Sequence, residues 1–166
     1  MSRLRIDAVT LPDISRPEMD FLDTSFFQND TSPPPQLPTP ASIIERYGDK
    51  GRRVILIDEL DMVVKTNYES DLRLEEVQTM RAIREMFLHH DVQVPVPEVF
   101  GWRRHGEQVF IYMSLIHGKT LRQAWPDLTE DDKKSIQRRL SQIVTALRQI
   151  TQENPNKIGE FFPTFT

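Results

Sequence analysis

Cysteine is absent from the 166 residues. That excludes disulfides, thiolate metal ligands and thiol nucleophiles, and is compatible with a reducing, cytoplasmic location. Long apolar runs are also missing. The longest clear one is Val54-Ile55-Leu56-Ile57, far short of the roughly 20 residues of a membrane helix. The opening Met-Ser-Arg-Leu-Arg leads into no apolar segment of the secretory kind. Strong positive charge is lacking as well. With 21 Lys and Arg against 25 Asp and Glu, the formal net charge is −4, which offers no bulk attraction to nucleic acid. Glycine is sparse, at 6 residues, and no G-x-G-x-x-G phosphate loop occurs. Only Gly48 and Gly51 precede the first clear strand pattern.

What remains is the composition of an ordinary folded domain, 38% apolar and 28% charged. Residues 1–38 stand apart. Together with Pro40 they hold seven of the 12 prolines, and Ser32-Pro33-Pro34-Pro35 favours polyproline II over helix or sheet. This stretch reads as a mostly disordered, acidic, Pro-rich leader, with Phe21, Leu22, Phe26 and Phe27 available to dock on the body. Its proline run also suits a binding arm for a partner domain.

Order is expected from Thr39, an N-cap followed by Pro40 at the first helical position. The helix 41–47 then ends at Gly48. Residues 52–57 and 62–65 read as two short strands around a polar connection. Over 70–88, Leu74, Val77, Met80, Ile83 and Phe87 recur at helical steps. Val94-Pro95-Val96-Pro97 forces extended backbone. Residues 98–102 and 108–113 read as a hairpin, with Gly106 in the turn. Thr129 caps a long helix with Glu130, Asp131 and Asp132 in its first turn. Ile136, Leu140, Ile143, Val144, Leu147 and Ile150 form its apolar stripe. The fold class is therefore α+β, a small antiparallel sheet with one helix inserted midway.

Four stretches carry a family resemblance. They are Met62-Val63-Val64-Lys65, then Glu75-Glu76-Val77-Gln78-Thr79-Met80-Arg81, then Val94-Pro95-Val96-Pro97-Glu98-Val99-Phe100-Gly101, and finally Tyr112-Met113-Ser114-Leu115-Ile116-His117-Gly118-Lys119-Thr120-Leu121. In this order the sequence resembles the N-terminal lobe of the aminoglycoside phosphotransferase-like family, which has a protein-kinase-like fold. The resemblance implies a lobe over 39–113, a hinge and first C-lobe helix over 114–150, and a tail over 151–166.

It implies further that Lys65 holds nucleotide phosphates and that a helix glutamate pairs with it. Glu75 and Glu76 differ by about 100° around a helix, so only one can face the lysine. Glu76, on the side of Met80 and Ile83, is the expected partner. Met113 would back the nucleotide pocket, Ser114 would offer its carbonyl and Ile116 its N–H. ATP and Mg²⁺ are the cofactors implied. The activity implied is phosphorylation of a small-molecule hydroxyl.

The chain stops before any segment like the family's catalytic loop and second, metal-binding Asp. The expectation is a truncated member that binds nucleotide weakly, has no catalytic or metal residues of its own, and does not turn over alone. His89-His90-Asp91 has the H-x-D spacing, but five positions beyond Asp91 stands Val96 and not Asn. The alternative is a pseudokinase-type module, acting through the Pro-rich arm and through an exposed long helix covered by a protein partner.

Overall fold

The computed structural model describes residues 4–5, 10–29, 32–49, 51, 53–88 and 91–151. Its strands are β1 (Leu4–Arg5), β2 (Glu18–Asp20), β3 (Arg53–Ile57), β4 (Met62–Tyr68), β5 (Val99–His105), β6 (Gln108–Ser114) and β7 (Ile150–Thr151). Its helices are α1 (Pro40–Tyr47), α2 (Glu75–Phe87), α3 (Leu121–Ala124) and α4 (Glu130–Leu147). The fold is mixed, with a five-stranded antiparallel sheet in the order β2-β5-β6-β4-β3. Among the described residues no helix is long and apolar enough to cross a membrane.

Contacts divide the chain into two compact units, and the boundary falls inside α2, between Arg81 and Ala82. One unit, Leu11–Arg81 with Pro97–Leu115, holds the sheet. Alternation along its strands builds two apolar layers. Ile55, Ile57, Met62, Val64, Phe110 and Tyr112 face a layer shared with Ile43 of α1, Phe26 and Leu37. Val99, Trp102, Val109, Ile111 and Met113 face the other, shared with Leu72, Leu74 and Val77. Burying an apolar side chain of this size is worth about 1.5–3 kcal/mol, so the two layers dominate the unit's stability.

The local signals act as expected in α1. Thr39 Oγ1 accepts the Ser42 N–H at 3.2 Å, and Gly48 ends the helix at φ 81°. The β5–β6 hairpin is longer than the sequence suggests. Its turn is Gly106-Glu107 alone, with Gly106 at φ 59°. The helix expected from residue 70 begins at Glu75. Before it, the Asp71 and Leu72 N–H groups both donate to the Tyr68 carbonyl at 2.9 Å, which winds the chain into a turn.

The leader expected to be mostly disordered is instead part of this unit over much of its described length. Glu18–Asp20 pairs with β5 as the fifth strand. Phe21 and Phe26 are buried, as is Leu37 beyond the proline run, whereas Leu22 is exposed. The aromatic and apolar residues of the stretch outweigh its prolines, because the sheet offers a hydrogen-bonding edge and an apolar surface to receive them. β5 carries a bulge between Val99 and Gly101 where it pairs with β6, and β2 approaches Gly101 closely on the other side. A Cβ on Gly101 would stand 2.3 Å from the Met19 carbonyl oxygen and 2.9 Å from Leu37 Cδ1.

The other unit comprises Met1–Thr10, Ala82–Val96 and Ile116–Thr166. In it β1 pairs parallel with β7. Thr129 caps α4 through a reciprocal box with Asp132. Thr129 Oγ1 accepts the Asp132 N–H at 3.1 Å, and Asp132 Oδ2 accepts the Thr129 N–H at 3.0 Å. Hydrogen bonds from Thr129 hold the Asp132 carboxyl below the usual carboxylate range. Along the stripe of α4, Leu140 and Val144 are exposed. His89, His90 and residues 152–166 lie outside the described residues.

Candidate functional site

β4 presents Val63, Lys65 and Asn67 to one side of the sheet and Met62, Val64 and Thr66 to the other, as the two-residue period of a strand requires. Lys65 does not end its strand, contrary to the sequence reading. Thr66, Asn67 and Tyr68 continue it, paired with Phe110, Val109 and Gln108. Lys65 is thus a mid-strand residue, opposite Val54 on one flank and Ile111 on the other. Its backbone is fixed from both sides, so the amine projects from a rigid base.

The turn after β4 returns the chain as α2, and the second residue of that helix meets the lysine. Lys65 Nζ donates to Glu76 Oε1 at 2.8 Å and Oε2 at 2.6 Å. Both side chains remain about one-third exposed, at 32% and 34%. Water therefore screens the pair, and its worth to stability is about 1 kcal/mol or less. Its geometric effect is larger. Two charge-assisted bonds hold a flexible four-carbon chain in one place.

Beside this pair lies an open cleft of about 550 Å³, lined by Arg53, Val54, Lys65, Thr66, Asn67 and Asp71 among others. Arg53 has a structural task there. Its guanidinium donates to the Tyr47 carbonyl and, at 3.2 Å, to that of Gly48, closing the last turn of α1. Val54 is 63% exposed and lies opposite Lys65 in the register. The cleft thus combines one positioned ammonium, apolar surface from an edge strand and polar side chains. That combination suits an anion carrying an apolar portion.

The other expected site residues are placed elsewhere. Met113 is buried in the layer with Val77, Val99 and Ile111. Ser114 closes β6: its N–H donates to the Glu98 carbonyl at 2.8 Å and its Oγ accepts the Glu98 N–H at 2.9 Å. Ile116 belongs to the other unit and is exposed. Within the sheet unit, neither Met113 nor Ser114 lines the cleft at Lys65. Along β4, Met62 pairs with Ser114 and Lys65 lies three residues on, roughly 10 Å at a strand's rise. Leu115 N–H, just beyond Ser114, donates to the Asp61 carbonyl at 2.8 Å.

Sequence reasoning did not single out Arg53, Asn67 or Asp71. Strand parity with Lys65 was the available signal for Asn67. For Arg53 and Asp71 no signal existed. Among the described residues no group of three or more His, Asp or Glu side chains could hold a metal ion. No family model, curated protein or solved structure matches the chain.

Proposed function

We propose that the sheet unit is a kinase-like nucleotide-binding lobe, in which Lys65, held by Glu76, offers its ammonium to the phosphates of ATP. The doubly hydrogen-bonded Lys65–Glu76 pair beside the open cleft carries this reading. A strand lysine joined to a glutamate of the next helix is the arrangement by which kinase-like folds hold nucleotide phosphates. The antiparallel sheet with α2 inserted between β4 and β5 supports the same reading, as do the sequence stretches that resemble aminoglycoside phosphotransferase-like proteins. On this proposal the wider reaction is phosphorylation of a small-molecule hydroxyl.

Calorimetry of the full chain with ATP tests the proposal. Weak binding is expected. Loss of one charge-assisted contact costs roughly 1.5–3 kcal/mol, so Lys65→Ala should weaken affinity about tenfold or more. An affinity equal in the wild type and in Lys65→Ala, or no detectable binding at millimolar ATP, would sink the reading.

A further inference from the structure

The segment before α1 does more than add a strand. Its middle, β2, is fixed to β5 by pairing, by salt bridges from Arg103 to Glu18 at 3.2 Å and Asp20 at 2.6 Å, and by the close approach at Gly101. From that anchor the segment reaches α2 twice. Before the strand, the Pro12 carbonyl accepts the Gln78 side-chain N–H at 2.9 Å. After it, the Asp23 carboxylate accepts from Arg81 Nη2 at 2.8 Å, and the Phe21 ring lies 3.8 Å from the Arg81 guanidinium carbon. Phe21 is itself held edge-on against Trp102 at 5.7 Å.

Gln78 and Arg81 are three apart, neighbours on one side of the helix. Glu76 lies on the same two turns. The apolar contacts of Leu74 and Val77 press α2 onto the sheet, but such contacts are non-directional. Hydrogen bonds and an ion pair at two points of a rigid helix set its rotation and its position along its axis. Those two coordinates decide whether the Glu76 carboxylate reaches Lys65. We propose that residues 12–23 are a positioning strap that clasps α2 and thereby keeps Glu76 on Lys65. The strap acts on the ion pair, whichever ligand the cleft takes.

The test reads the lysine directly, in the full chain labelled with ¹⁵N-lysine. The Lys65 ammonium resonance is assigned by its loss in Lys65→Arg, and Glu76→Gln supplies its position without the partner. Asp23→Arg, at an exposed side chain, and Arg81→Gln each break the strap. In both, the Lys65 signal should move most of the way to its Glu76→Gln position and broaden through faster exchange with water. Arg81→Lys, which keeps a cation over Phe21 and near Asp23, should recover part of the shift. A purely stabilising role for the segment leaves the Lys65 signal in its wild-type place while the Phe21 amide loses exchange protection, and that result overturns the proposal. Equal shifts in Arg81→Lys and Arg81→Gln also overturn it. Near-ultraviolet circular dichroism identifies any variant that unfolds. Asp23→Arg leaves the core untouched and decides the question on its own.

Discussion

Lys65 Nζ lies 2.6 Å from Glu76 Oε2, across the interval between a central strand and the first turn of the next helix. Glu75 is the adjoining carboxylate, and a helix turns it about 100° away. Glu76→Ala should therefore release Lys65 and weaken ATP binding several-fold, while Glu75→Ala should leave binding unchanged. Neither should cost more than about 1 kcal/mol in urea unfolding, because the pair is solvent-screened. Equal effects of the two substitutions on binding would contradict the assignment.

Gly101→Ala should dislodge β2. The added methyl meets the Met19 carbonyl oxygen, backbone that cannot step aside cheaply. A loss of about 1–3 kcal/mol is expected, as for an overpacked core. Amide exchange should quicken at Phe21, whose N–H donates to the Phe100 carbonyl at 2.9 Å. An unchanged urea midpoint would show that β2 contributes little.

The Tyr112 hydroxyl is buried and has no hydrogen-bond partner. An unsatisfied buried hydroxyl costs free energy, so Tyr112→Phe should be neutral or stabilising by up to about 1 kcal/mol. Burial also pushes the phenol well above its ordinary value of about 10. A folded-state value raised above the unfolded one contributes stability below the unfolded pKa and loses it as pH rises past about 10. Wild-type chain should therefore soften above that pH more than Tyr112→Phe does. Thermal midpoints taken on both sides of pH 10 check this.

Thr129→Ala removes the cap of α4 and should cost about 0.5–2 kcal/mol. The Asp132 carboxyl is held low by Thr129. Its contribution is present above the ordinary carboxylate value of about 3.9 and fades as pH falls through the lowered one. Helical circular dichroism at neutral and acid pH should show a smaller acid loss in Thr129→Ala than in wild type.

Local chemistry made most of this fold legible. Thr39-Pro40 and Thr129 announced helix starts, Gly48 a helix stop and Gly106 a hairpin turn, because each acts through its own backbone. Choosing Glu76 over Glu75 needed only helix geometry and the apolar positions around it. The leader was misread because its proline and acidic content is local, whereas what orders it is distant: Phe100, Trp102 and Arg103 on β5. The same limit hid Gln78 and Arg81, whose partners lie 66 and 58 residues away. The walls of the cleft were illegible for a related reason. Arg53 comes to line it through its strand's register with β4, and no motif at Arg53 records that pairing.

The strand that completes the sheet is an early one in the chain. Glu18 pairs with Arg103, a separation of 85 residues (103 − 18). During synthesis β2 leaves the ribosome long before its template exists. At about 5–20 residues per second, it waits on the order of ten seconds, with Phe21 and Phe26 uncovered. β3 and β4, by contrast, are joined by a short turn and can pair at once. The newborn chain is thus asked to keep an aromatic-rich segment in solution until β5 and β6 have formed the edge that receives it. Slower translation between residues 29 and 99 would lengthen that wait, and should lower soluble yield without altering the finished sheet.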